Sequence, residues 1–178
     1  MTMTSTTLPG TDRPSPSLTP YDVGLPVLRI VLGAIMVVHG TQKLFKWFDG
    51  GGIKGTGAFF TKAGYPAGEA MAAIAGLTET LGGLGLILGL VTPLAAAGIV
   101  GVMINAIAVN WTGHLIGQDG VEFELLIVAG AATLALTGPG RLAVDHYLPV
   151  LRNHRLVYGA LALVLAVVLA ALVLLFRD

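Results

Sequence analysis

Seven polar side chains stand out because they fall within, or close to the ends of, long apolar runs: Arg29, His39, Lys43, Glu79, Asn110, His114 and Glu124. A charged group at the centre of a membrane helix costs about 2.5 to 3.5 kcal/mol on insertion scales, so each such group needs an inward-facing partner. Carboxylates and histidine in apolar surroundings suit proton exchange and the binding of a polar head such as that of a quinone. His39 and His114 could also ligate a haem axially, but two lone histidines without further pattern rank that reading low. Each group also has a plainer role. Arg29 with Glu79 would make an ion pair that fixes helix register, His39 would pack, and Glu122 and Glu124 would sit against a positive helix N-terminus.

Spacing sharpens the grouping. His39 and Lys43 are four residues apart and share a helix face. Arg29 precedes Lys43 by fourteen residues and returns to within about 40° of the same direction. Asn110 and His114 are again four apart. Counting depth from the connection between the first two runs brings His39 near the level of Glu79, with Arg29 about 7 Å beyond. Glu79 is therefore expected to pair with Arg29, His39 or both. His39, Lys43, Asn110, His114, Glu122 and Glu124 are expected to gather at one end of a bundle.

Other chemistries are excluded. The chain has no cysteine, which removes disulfides, thiolate chemistry and iron–sulfur clusters. Lys54-Gly55-Thr56-Gly57 lacks the order of a P-loop, and Phe60 stands where a third glycine would complete GxGxxG. No HExxH and no Ser/His/Asp arrangement occurs, and the Asn110-Trp111-Thr112 sequon abuts the membrane. The formal net charge is +0, so no basic field points to nucleic acid.

The elements that must position these groups are membrane helices. The 178 residues are 54% hydrophobic and only 11% charged, with a mean hydropathy of +0.82. A helix needs roughly 20 apolar residues to cross a hydrocarbon core of about 30 Å. Five runs are predicted as helices: Val23 to Trp47, Glu69 to Leu90, Pro93 to Trp111, Phe123 to Thr137 (short for a full span) and Leu156 to Phe176. Thr92-Pro93 and Gly138-Pro139-Gly140 break the chain between runs. The glycine-rich stretch from Asp49 to Phe60 and the stretch from Leu142 to Leu151 are expected to lie in the interface. Gly85 and Gly89, like Ala97 and Gly101, have the spacing of close helix packing. Residues 1–22 form a Ser/Thr/Pro-rich tail expected to be disordered, without the pattern of a cleaved signal, so the first run should remain in the membrane. Cations divide evenly between the two sides, with Arg13, Arg141, Arg152 and Arg155 opposing Lys43, Lys46, Lys54 and Lys62, so charge selects no orientation.

Several patches in order resemble the DoxX family of small membrane proteins. They are Arg29, His39-Gly40-Thr41-Gln42-Lys43-Leu44-Phe45, Gly55-Thr56-Gly57-Ala58-Phe59-Phe60 and Glu79-Thr80-Leu81-Gly82-Gly83. The turn Thr92-Pro93, then Glu122-Phe123-Glu124-Leu125-Leu126, Gly138-Pro139-Gly140-Arg141 and Asp145 complete the set. The resemblance implies an all-α polytopic bundle with a four-helix membrane domain over residues 23–145. Residues 146–178, a linker and a fifth transmembrane helix, depart from the family's usual form. It further implies a multi-pass protein of the bacterial inner membrane with a link to redox metabolism.

Three functions follow as expectations: an accessory subunit of membrane redox metabolism, a quinone-linked oxidoreductase subunit using the His/Lys/Glu cluster, or a small-solute or lipid carrier. The bilayer is the expected surrounding in all three. Membrane or peripheral protein partners and a homo-oligomer are compatible with each; the cofactor is left open, with quinone as one candidate.

Overall fold

A computed structural model describes residues 18–152 and 154–178; the greater part of the expected tail lies outside these. All elements among the described residues are helical: α1 Pro20–Phe45, a single 3₁₀ turn Trp47–Asp49, α2 Gly52–Lys62, α3 Gly68–Leu88, α4 Thr92–Asn110, α5 Glu122–Thr137, the short α6 Val144–Tyr147, and α7 Leu156–Leu175. Helices α1, α3, α4 and α7 are long and apolar enough to cross a membrane. The 16 residues of α5 rise about 24 Å, most of the hydrocarbon thickness. The protein is a polytopic helical bundle. Its exterior is apolar (Val27, Leu81, Leu126, Leu161 and Leu169 are all exposed), which is what a lipid environment requires.

Helix α1 starts at Pro20, three residues before the apolar run, because Thr19 and Asp22 cap it. The Thr19 backbone N–H and hydroxyl both donate to the Asp22 carboxylate at 2.8 Å. The closest helix contact is between α1 and α3, and four glycines allow it. A Cβ on Gly33 would meet Ile87 Cγ1 at 2.7 Å as well as the Gly83 carbonyl oxygen at 2.5 Å, and one on Gly40 would meet the Gly76 carbonyl oxygen at 2.6 Å. Gly33 with Gly40, and Gly76 with Gly83, are each seven residues apart, so each pair lines one stripe of its helix. This is a different seam from the Gly85/Gly89 spacing. Gly89 instead ends α3 in the left-handed region at φ +66°, where its Cα faces the Arg29 guanidinium.

Helices α4, α5 and α7 pack on the other side. Leu32, Met36, Leu86, Ile99, Ile127 and Leu134 form the core between the two groups. Gly159 of α7 lies against the backbone of Ala135 and Leu136 in α5. The two interfacial stretches hold short helices, α2 and α6. Gly57 and Gly68 bring α2 onto the start of α3.

Asp145, in α6, ties the far end together. Its carboxylate accepts from the backbone N–H groups of Val91 at 2.7 Å and Thr92 at 2.9 Å, satisfying orphan donors at the start of α4. Its own N–H donates to Gly89 O at 2.9 Å.

Candidate functional site

The C-terminal ends of α1, α4 and α7 meet the N-terminal ends of α3 and α5 beside α2, and here most of the polar groups collect. Glu79 is 1% exposed, and its carboxylate accepts from Lys43 Nζ at 2.7 Å. The glycine register explains this partner. With Gly33 level with Gly83 and Gly40 level with Gly76, Glu79 sits at the depth of Val37. Side chains lean toward the N-terminus of their own helix. In the antiparallel pair α1 and α3, Lys43 and Glu79 therefore lean toward each other and meet near the Gly40–Gly76 crossing. Lys43 Nζ also lies 3.5 Å from His39 O.

Sequence register assigns Glu79 to Arg29 or His39, whereas the structure pairs it with Lys43. Arg29 lies eight residues, about 12 Å, from the level of Glu79, farther than the connection-based count allows. The reason is that α2 and its flanking turns intervene between α1 and α3, so depth counted from the chain connection is offset. Arg29 is 2% exposed and donates to Leu142 O at 2.6 Å, at the end tied by Asp145. The charged groups of α1 thus serve opposite ends of the bundle.

Around Lys43–Glu79 opens a cavity of about 1200 Å³ between α3, α4 and α7. Its polar lining side chains are His39, Lys43, Tyr65, Thr78, Glu79, Asn105, Asn110 and Glu124, all in the half nearer α2. The other half is lined by apolar and small residues, among them Leu84, Leu88, Leu94, Gly98, Ala162, Leu165 and Leu169. From the level of Glu79 to the end of α3 at Leu88 this apolar part runs about 14 Å. The shape is that of a groove for an amphiphile, with a polar head at one end and a long apolar tail along the helices.

Asn110 Nδ2 donates to Glu124 Oε1 at 2.8 Å, and the His39 ring packs on Phe123 with centroids 5.6 Å apart. Five of the seven candidate site residues, His39, Lys43, Glu79, Asn110 and Glu124, therefore line one cavity. His114 is in the exposed loop after α4, 3.4 Å from the Thr112 hydroxyl, and does not line it. Glu122 accepts from the Gly117 N–H at 3.2 Å and fastens that loop. A second cavity of about 590 Å³, more polar, shares Phe59 and Asn110 with the groove and includes Lys62, Thr112, Asp119 and Arg177.

Three polar lining residues, Tyr65, Thr78 and Asn105, escape the sequence reading, and two of them pair. The Tyr65 hydroxyl donates to Asn105 Oδ1 at 3.0 Å. Burial pushes the Tyr65 phenol above its ordinary value, against the pull of the nearby Arg177 guanidinium, so it remains a neutral donor. The available signal was Asn105 itself, an amide between Ile104 and Ala106 deep in an apolar run.

The DoxX family profile matches residues 24–115, which include Arg29, His39, Lys43, Glu79, Asn110 and His114. A Bacillus subtilis (strain 168) protein named "Putative oxidoreductase CatD" is 31% identical over 128 residues, 71% of this chain and 88% of that protein. No solved structure matches the chain. With a profile match over half its length and this relative alongside, the chain belongs to the DoxX family.

Proposed function

We propose that this protein is the quinone-binding membrane subunit of a redox system in the bacterial inner membrane. A quinone enters the groove sideways from the bilayer, lays its isoprenoid tail along α3, α4 and α7, and places its head beside Lys43 and Glu79. The observation that carries this reading is the segregation of the groove, with every polar lining side chain in one half and about 14 Å of apolar wall in the other. Reduction of the head consumes two electrons and two protons. The Lys43 ammonium donates a hydrogen bond to a quinone oxygen, and the Lys43–Glu79 and Asn110–Glu124 pairs exchange protons with the more polar cavity beyond Asn110. The chain has no cysteine, and a redox protein in contact with this end supplies the electrons. The name of the Bacillus relative supports the redox assignment. The one-ended polar lining favours a binding site over a carrier's path across the membrane.

The test is extraction of the protein in native lipid particles, followed by chromatography of the co-extracted lipids. Quinone enriched over phospholipid relative to the parent membrane is expected, and this enrichment should be lost in Lys43→Met. Quinone at the bulk membrane ratio in the wild-type protein would remove the proposal.

A further inference from the structure

An amide inside an apolar membrane helix needs a reason, and Asn105 lies well within α4. Its Nδ2 donates to Gly101 O at 3.1 Å within the same helix, and its Oδ1 accepts from Tyr65 at 3.0 Å. An amide nitrogen carries two N–H donors, so one remains for another acceptor. A Cβ on Gly98 of α4 would meet Thr78 of α3 at 3.1 Å, so the Asn105 backbone lies roughly 10 Å nearer α2 than that of Glu79. Both line the groove. The head end therefore carries two polar points on facing walls, Lys43, which reaches Glu79 from the α2 side, and Asn105, whose amide bends back along α4 to Gly101 O and so toward the Lys43–Glu79 pair.

The second pair is held from the chain's far end. Arg177, just beyond α7, donates through Nε to Ala63 O at 2.8 Å and through Nη1 to Ala108 O at 3.0 Å, and its guanidinium lies 5.7 Å from the Tyr65 ring centroid. The next residue, Asp178, donates its N–H to Gly64 O at 3.0 Å. Three carbonyls in two segments close in sequence to Tyr65 and Asn105 are thus pinned by Arg177 and Asp178. This end of α7 lies outside the stretch 24–115 that the family profile matches.

We propose that Asn105, positioned by Tyr65 and Arg177, is the second head contact of the groove, donating its remaining amide N–H to one quinone carbonyl while the Lys43 ammonium serves the other. This rests on the quinone reading above and specifies the ligand further: a ring with acceptors on opposite edges, held from both walls. A phospholipid or an isoprenoid alcohol has no such pair of opposed acceptors. Asn105 touches the ligand, and Tyr65 and Arg177 are positioning residues. The additional C-terminal helix is then part of the binding site and not an appendage to it.

The experiment is infrared difference spectroscopy of the full-length protein in lipid nanodiscs, loaded with a short-tailed isoprenoid benzoquinone labelled with ¹³C at one carbonyl or the other, alongside titration of its affinity. In the wild-type protein both carbonyl bands should lie below those of the free quinone, because both accept hydrogen bonds. Asn105→Leu should return one band to its free position, leave the other in place and weaken binding about five- to tenfold, the scale of one neutral hydrogen bond. Lys43→Met should release the opposite band. Tyr65→Phe and Arg177→Ala, which leave Asn105 in place, should broaden the Asn105-side band alone. Asn105→Leu that leaves both bands unmoved, or moves them equally, overturns the inference while the quinone reading stands. If Asn105→Leu does not fold, Tyr65→Phe decides in its place, and an unaltered spectrum overturns the inference. A wild-type protein that binds phospholipid but no quinone overturns both.

Discussion

Lys43 and Glu79 meet at 2.7 Å, one from each of the two helices that the glycine seam holds closest together. Glu79 is sealed from its surroundings while Lys43 keeps 22% of its side chain accessible, so the pair presents its cationic member to the groove. A buried pair of this kind contributes little net stability relative to a well-packed apolar pair, yet breaking it strands a charge. That asymmetry separates its structural role from its functional one.

Replacing Lys43 by Met alone should lower stability by about 3 kcal/mol, because Glu79 is left without a countercharge. Lys43→Met combined with Glu79→Leu should recover most of that loss while quinone binding stays absent. Thermal unfolding in detergent and quinone titration check the two halves separately. A double variant that binds quinone normally would show that the pair only holds the fold.

The glycine seam makes a prediction that is independent of any ligand. Gly40→Ala should destabilise by about 1 to 3 kcal/mol, since its Cβ would meet the Thr80 hydroxyl and the Gly76 carbonyl with no flexible neighbour to yield. Gly24→Ala, in the same helix with nothing within 4 Å, should be neutral or stabilising by up to about 1 kcal/mol. Thermal unfolding midpoints of the two variants give the comparison.

Asp145 and the site residues lie at opposite ends, so their effects should separate. Asp145→Ala strands two backbone donors at the start of α4 and should cost about 1 to 3 kcal/mol. Faster hydrogen exchange should follow at Val91 and Thr92, with quinone affinity unchanged. Loss of quinone binding without any change in exchange would contradict this division.

The groove can be filled from its own wall. Gly98 of α4 lines it, and a Cβ there meets only Thr78 Cγ2 at 3.1 Å. Gly98→Phe should therefore preserve the fold and exclude the tail, reducing quinone affinity at least about tenfold. Titration of a long-tailed against a tail-less benzoquinone reads this directly, since only the long-tailed ligand should lose affinity.

The apolar runs alone determined the bundle. Lipid offers no hydrogen bonds, so each run had to close its own backbone as a helix, and α3, α4, α5 and α7 begin and end within two residues of their expected bounds. The same reasoning required Arg29, His39, Lys43, Glu79 and Glu124 to turn away from lipid, and helix spacing placed His39 with Lys43. Which partner each would take was decided in three dimensions. Lys43 meets Glu79, and Arg29 goes to the other end, because Gly33, Gly40, Gly76 and Gly83 set a register that chain connections do not encode. Asn105 and Tyr65 come together because the turn after α2 carries Tyr65 to α4 and Arg177 pins the Ala63 and Ala108 carbonyls. Burial is a property of one residue and can be read along the chain. Register between helices arises from two surfaces at once, and only their packing sets it.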